Sequence, residues 1–397
     1  MSSKQILTLL SGAIICLLIG LIYAWSIFVA PLEAEFGWTR AQTSATFTVS
    51  MISFCIAGMV SGAVIKRHAP RLIVLLAAGL LCVGFVAASR INSVLGLYIS
   101  YGVFCGAGVG LSYNAVISTV SKWFPTKTGV ISGVLLMCFG FGGMVLGTLA
   151  SALIVAMSWR TTFLVFAVLF AAVLAAFSLG IRAPRSGELA ERPTAQQRTA
   201  NAAQTEMTAA QMLRRPSFWL YFLWATVLSA AGLAIIGNSS MIAQEIGASV
   251  AAAATITGML SICSGLGRVA IGIIFDRFGR AVSAACTNVL MILAMAVIVA
   301  AAVGSSVLVF VAGGILLGFG YGSIPPQNAS FVNQFYGTQN YALNFSIMNL
   351  NLIPASILGP LVAGMIQTQT GSYFSMYIIL LAACVITAFA QFFIKRP

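Results

Sequence analysis

Apolar stretches of about 20 residues, separated by short polar interruptions, run the length of the chain. They begin near Ile6, Ala41, Leu72, Val94, Val130, Thr162, Phe218, Ala251, Ala281, Ser306, Ala342 and Tyr373. A helix of about 20 apolar residues covers the roughly 30 Å of hydrocarbon in a bilayer, so the pattern predicts an all-α membrane protein with twelve transmembrane helices. One polar interval is long. Residues 182–215, rich in Ala, Gln, Thr and Arg, hold too little apolar surface to bury a core; they predict a mostly disordered linker that closes with a short amphipathic piece at "TAAQMLRRPSFW". The linker divides the chain into an N-terminal six-helix bundle (1–181) and a C-terminal one (216–397).

The two bundles repeat one another. "EFG" at 35–37 answers "EIG" at 245–247, Gly62 and Arg67 answer Gly272 and Arg277, and "GAGVG" at 106–110 answers "GFGYG" at 318–322, at an offset of 210 to 212 residues. Two parallel repeats are the arrangement from which alternating-access transporters build a substrate site at the interface near the bilayer midplane.

Composition agrees with the pattern: 60% of the 397 residues are hydrophobic and 7% charged, with a mean hydropathy of +1.02, where soluble domains carry about 25% charged residues. The net charge of +13 raises nucleic acid as a partner, but its distribution excludes that reading. With the N-terminus in the cytoplasm, Lys4, Lys66, Arg67, Arg71, Lys122, Lys127, the arginines between 182 and 215, Arg277, Arg280, Lys395 and Arg396 all fall inside, and Arg40, Arg90 and Arg160 fall outside. Such asymmetry is the positive-inside rule, and it predicts both termini cytoplasmic in a multi-pass cell (inner) membrane protein. The first span runs on through Tyr23 and Trp25 without a small-residue cleavage pattern, so it is expected to stay as a helix. The eight cysteines lie inside spans without paired spacing, which predicts neither disulfides nor a metal site, and no cofactor is expected.

One residue breaks the pattern. Arg268 stands in the apolar stretch "GMLSICSGLGRVAIGIIFDRFGR", seven residues before Phe275, hence about 10 Å inside the helix end. An arginine at that depth costs about 2.5–3.5 kcal/mol on insertion scales and must face protein or a wet cavity. Thr257, Ser261, Ser264, Gly265, Arg268 and Gly272 fall on one helical face, whereas Ile262, Leu266, Val269 and Ile273 face elsewhere. A structural pin to backbone carbonyls or to a carboxylate is the alternative to a ligand role. All seven acids, Glu33, Glu35, Glu188, Glu191, Glu206, Glu245 and Asp276, lie at helix ends or in loops, so the missing anion is expected to be the substrate.

"GIIFDRFGR" at 272–280 resembles the G-x-x-x-D-R-x-G-R loop of the major facilitator superfamily. Four further stretches, "YAWSIF" (23–28), "GAGVGLSYNAVISTVSKWFPTKTGVISG" (106–133), "MLRRPSFW" (212–219) and "YGSIPPQNASFVNQFYGTQNY" (321–341), resemble its oxalate/formate antiporter family and the related monocarboxylate transporters. The resemblance covers nearly the whole chain. It implies that Arg268 binds a carboxylate, which a guanidinium fork matches bidentately, and that Tyr23, Tyr113 and Tyr321 line the pocket; Asn114 is added to these, with Asn238, Asn344, Asn349 and Asn351 as weaker candidates that can equally bond neighbouring helices. Asp276, with Arg277 and Arg280, would form the conformational latch of the superfamily loop. In the first bundle "GAVIKRHAPR" carries Lys66 where the aspartate should be, so no similar latch is expected there, and His68 reads as a solvated loop residue. Pro325 and Pro326 loosen or statically kink the tenth helix.

Oxalate exchangers of the family carry a lysine in the eleventh helix. Here "ALNFSIMNLNLIPASILGP" (342–360) is uncharged, and one fixed cation suits one carboxylate, such as lactate, pyruvate, acetate, formate or glycolate. An electroneutral cycle of one proton with one monoanion favours proton symport, with Glu245 the coupling candidate and its repeat counterpart Glu35 equally ambiguous; carboxylate exchange is the alternative. An enzyme is excluded because the spans hold no nucleophile with its base, metal ligands or paired carboxylates. A sugar carrier is disfavoured by the sparse polar lining and a cation exporter by the absence of a deep acid, while a sensor on the same fold stays open. The resemblance implies a monomer.

Overall fold

The computed structural model describes residues 2–124, 128–184 and 206–394. Its regular structure is helical throughout, and twelve helices are long and apolar enough to cross a membrane. The first half contains α1 (Ser3–Ala24), α2 (Arg40–Val64), α3 (Pro70–Ala88), α4 (Val94–Ser121), α5 (Val130–Ala156) and α6 (Trp159–Ser178). The second half contains α7 (Pro216–Glu245), α8 (Thr255–Phe275), α9 (Arg277–Gly304), α10 (Val307–Tyr336), α11 (Tyr341–Thr370) and α12 (Phe374–Phe393). Large apolar side chains such as Leu76, Val168 and Ile386 point outward, as a surface facing lipid tails requires. Residues 185–205 of the expected linker lie outside the described residues, and its end forms the short helix Ala209–Leu213, capped by Thr208 with Gln211 in a capping box.

The halves meet along two seams, α2 against α11 and α5 against α8. Small residues make the close approaches, because helices in lipid associate by packing rather than by expelling water. The sequence repeat has its explanation here. A Cβ on Gly106 or Gly110 of α4 would collide with the α2 backbone at Ser50 or Phe54, and one on Gly318 or Gly322 of α10 with α8 at Cys263 or Ser264. The two glycine pairs let the same helix pair touch in each half. At the α8–α9 corner Gly279 adopts φ 76° with nothing within 4 Å of its missing Cβ. Its backbone conformation, not crowding, demands glycine in the superfamily loop.

Besides a π segment over Tyr98–Cys105 in α4, three spans carry interruptions. α1 tightens into a 3₁₀ turn over Gly20–Ala24; α10 restarts at Ile324 with Pro325 and Pro326 in its new first turn; α11 breaks between Asn349 and Leu352. The α10 break is braced from α9, where Thr287 Oγ1 lies 2.6 Å from Ser323 Oγ and accepts Gln327 Nε2 at 2.7 Å. Such discontinuities survive in a bilayer only where protein or a cavity surrounds them, and all three border the pocket described next.

Overpacking the α2–α4 contact tests the fold. Gly110→Val should cost about 1–3 kcal/mol and lower the thermal unfolding temperature of the detergent-solubilised protein, whereas Gly79→Ala, with open space around its Cβ, should leave it unchanged. Equal unfolding temperatures for the two variants would contradict the packing described.

Candidate functional site

Arg268 is 1% exposed, the one charged side chain among the described residues buried to that degree. It projects from α8 toward α5 of the opposite half. That seam is cleared for it: a Cβ on Gly140 would stand 3.1 Å from Nη1 and 3.2 Å from Cζ, and one on Gly133 would stand 3.1 Å from the Arg268 carbonyl oxygen. Nη1 donates to the Leu136 carbonyl, while Nε has no hydrogen-bond partner. The guanidinium carbon lies 5.8 Å from the Phe139 ring centroid and 6.0 Å from that of Tyr23, where ring quadrupoles offset only part of the missing hydration. Among the described residues the cation is therefore buried with no carboxylate beside it.

Beside it lies a constricted pocket with room for about one water molecule. Tyr23, Phe54, Tyr113, Leu136 and Phe139 form the wall from the first half; Ser229, Arg268, Tyr321, Ile324, Pro325, Asn328, Asn349 and Leu352 form the other. Tyr23 and Tyr321 approach the pocket from opposite halves. Tyr113 packs edge-on to Phe54 and tilted against Phe139, each at 5.1 Å between centroids. The first wall is thus mostly aromatic, and the other mixes polar with apolar side chains. Asn328 is 2% exposed and its Oδ1 is unpartnered, and Ser229 Oγ accepts Asn351 Nδ2 at 3.4 Å.

The structure brings together four of the expected binding residues, Arg268, Tyr23, Tyr113 and Tyr321. Asn114 is not among the lining residues; its Nδ2 donates to the Gly58 carbonyl at 2.7 Å, to the Ala342 carbonyl at 3.3 Å and to Ser346 Oγ, where α2, α4 and α11 meet. Glu245 is also away from the pocket, accepting from Ser372 Oγ at 2.6 Å and the Tyr373 amide at 3.3 Å ahead of α12. Glu35 bonds Trp159 Nε1 at 2.6 Å and Arg160 at 2.8 Å, and the Arg160 bond holds its carboxyl below the usual range. Of the latch residues, the Asp276 side chain lies outside the described residues, Arg277 is exposed, and Arg280 Nη2 donates to the Ile394 carbonyl at 3.0 Å within its own half. Ser229 and Asn328 were not anticipated. "IPPQN" held the signal for Asn328, since a restart after paired prolines turns the following polar residues toward the break.

The family model described as Major Facilitator Superfamily matches residues 10–239 and 222–397. The chain belongs to the Major Facilitator Superfamily. Within this superfamily it is 22% identical over 392 residues to the oxalate:formate antiporter of Oxalobacter formigenes, covering 98% of this chain and 90% of that protein. It is 25% identical over 353 residues to YhjX of Escherichia coli (strain K12), described as an uncharacterized MFS-type transporter, with 88% and 85% covered. It is 22% identical over 371 residues to monocarboxylate transporter 13 of Bos taurus, with 91% and 82% covered. Among solved structures, the proton:xylose symporter XylE bound to 6-bromo-6-deoxy-D-glucose superposes with a TM-score of 0.77 at 16% identity, covering 99% of this chain and 96% of that one. That likeness shows the fold alone; it is membership of the superfamily that makes the protein a transporter and not an enzyme.

The state of Arg268 has a measurable consequence. If the guanidinium were chiefly a pin to Leu136, Arg268→Met would destabilise the ligand-free protein. A buried cation without its anion gives the opposite sign, and Arg268→Met should raise ligand-free stability by about 1–4 kcal/mol. Thermal unfolding without carboxylate ligands separates the two.

Proposed function

We propose that this superfamily member moves small monocarboxylates across the membrane by alternating access, with Arg268 as the carboxylate anchor. The observation that carries the reading is the buried guanidinium at the seam between halves, with Nε unpartnered and no acid among the pocket residues. A substrate carboxylate completes its hydrogen bonding, and at 4 Å the pair is worth about 4 kcal/mol at an effective dielectric of 20. Tyr23, Tyr113 and Tyr321 supply phenolic donors and an apolar surface for a short carbon chain. No second cation lines the pocket, so a dicarboxylate would leave one carboxylate desolvated without a fixed partner. Ser229, Asn328 and Asn349 offer neutral hydrogen bonds instead, which suit a hydroxyl substituent. The relatives described as an oxalate:formate antiporter and a monocarboxylate transporter lend support by similarity.

A thermal-stability panel of carboxylates on the purified protein tests the assignment, since a ligand stabilises by RT ln(1 + [L]/Kd). Lactate, glycolate and acetate should stabilise the wild type more than oxalate, malonate or succinate at equal concentration. Arg268→Ala should abolish the response, and Arg268→Lys should retain only a small part of it because the planar fork is lost. A full response in the alanine variant, or oxalate as the strongest ligand, sinks the proposal.

The charge count favours proton symport, whereas one observation favours exchange: Glu245 is engaged at the start of α12 and no carboxylate lines the pocket. On the exchange reading, each passage of Arg268 across the membrane carries a carboxylate. Uptake into liposomes without internal substrate, with and without an inward proton gradient, decides between them. Exchange predicts uptake only after preloading with carboxylate. Gradient-driven uptake into empty liposomes, lost in Glu245→Gln, would establish symport instead.

A further inference from the structure

The end of the inter-half linker is built into the boundary between the halves. Glu206 accepts hydrogen bonds from the Thr338 amide at 3.0 Å, Thr338 Oγ1 at 3.2 Å and the Gln339 amide at 2.9 Å, capping the approach to α11. Met207 follows it, 3% exposed. Its amide donates to the Tyr336 carbonyl at 3.0 Å, and its own carbonyl accepts Asn344 Nδ2 at 3.1 Å and Asn340 Nδ2 at 3.3 Å. The turn between α10 and α11 is shaped to receive this segment. Gly337 lies at φ 84°, and a Cβ there would run into the Glu206 carboxylate.

The contacts continue into the first half. With its Nδ2 held by Met207, Asn340 presents Oδ1 outward, where Lys66 Nζ at the end of α2 donates to it at 2.6 Å. Deeper along the same seam Ser346 Oγ donates to the Gly58 carbonyl at 3.0 Å, Asn114 bridges Gly58 and Ala342, and Gly62 leaves no room for a Cβ beside Ser346 and Ala342. The linker end of the transporter is therefore closed by one continuous polar chain, from Glu206 and Met207 through Asn340 to Lys66. Sequence comparison within the superfamily loop marks Lys66 as a departure from an acidic latch residue; the structure gives it a partner that suits a cation.

We infer that Glu206 and Met207 form a strap that positions Asn340 for Lys66, so that the linker itself sets how firmly the gate at this end is closed. Three amide or hydroxyl donors fix the carboxylate, and the fixed turn spares Asn340 the entropy of finding Lys66. Releasing the strap leaves Lys66 facing a mobile partner, and the equilibrium shifts toward the state open at the linker end. The inference depends on the superfamily fold and not on which substrate is carried.

Spin labels at Arg71→Cys in the first turn of α3 and Phe278→Cys in the α8–α9 corner, both exposed, report the width of the linker end by pulsed dipolar spectroscopy on the full chain in lipid nanodiscs. Lys66→Met and Glu206→Ala are both surface substitutions, so folding is expected to survive. Each should lower the ratio of short- to long-distance populations by roughly threefold, the scale of one exposed charged contact. Because the strap acts through the Lys66–Asn340 bond, the double variant should shift the ratio no further than Lys66→Met alone. A wild-type distribution in Glu206→Ala, or effects of the two substitutions that multiply independently, overturns the inference.

Discussion

Burying one guanidinium without an acid is the constraint around which the transporter is organised. The Arg268 side chain gives up its hydration and receives one carbonyl, that of Leu136, and two distant ring faces. The carbonyl belongs to the opposite half, so the hydrogen bond the cation makes is also a bond across the α5–α8 seam. On the proposed reading an anion takes the unpartnered Nε side of the fork while Nη1 stays on Leu136. Ligand binding and the hold between the halves then meet at one side chain, and parting the seam changes what the fork offers an anion, which is the difference in affinity between states that any induced movement requires. The glycines at 133 and 140 let the seam close tightly enough for Arg268 to reach Leu136.

The broken helices follow from the same constraint. A continuous helix offers no free backbone polarity to a ligand, and its side chains leave at fixed angles. The 3₁₀ turn in α1 carries Tyr23, the restart of α10 carries Ile324, Pro325 and Asn328, and the break in α11 lies between Asn349 and Leu352. Each interruption delivers pocket residues, and each is screened from lipid by neighbouring spans. The paired prolines fix where α10 restarts, and the Thr287–Ser323–Gln327 bonds hold the freed polar groups there. The bend is a built feature of the resting structure.

Most of the architecture was legible because bilayer physics is severe: the twelve apolar stretches and the glycine repeat translate directly into spans and helix contacts. Arg268 was legible for the same reason, since an arginine about 10 Å from the helix end has few structural explanations. The asparagines were legible only in part, since Asn349 lines the pocket and Asn114 does not. Asn114 immediately follows Tyr113 on α4, and one residue's rotation of about 100° separates a ring in the pocket from an amide in the α2–α4–α11 seam. Sequence gives the face of a helix, but not which neighbour that face meets. Ser229 escaped notice because a serine in a membrane helix commonly bonds its own backbone, and only the juxtaposition with α10 and α11 makes it a pocket residue. Lys66 illustrates another limit: judged as a missing aspartate it carried no role, whereas its partner Asn340 lies 274 residues away in the chain.

The carboxylates complete the electrostatic picture. Glu33 accepts Thr43 Oγ1 at 2.7 Å and pairs with Arg40 at 2.9 Å beside the start of α2; Glu35 meets Trp159 and Arg160 at the start of α6; Glu206 caps the approach to α11 and Glu245 that to α12. Glu33, Glu35 and Glu245 stand in the last turns of their own helices but reach the approach to another, and Glu206 and Glu245 accept free backbone amides there. None is left to neutralise the seam. Had one of them stood in the pocket, Arg268 would be satisfied permanently, the empty and loaded states would carry the same pairing, and a substrate carboxylate would have to displace a competitor held at very high effective concentration. Keeping these four acids at the ends of the spans leaves the guanidinium available, and the same separation of charges that stabilises the ends of the spans creates the electrostatic demand at their centre.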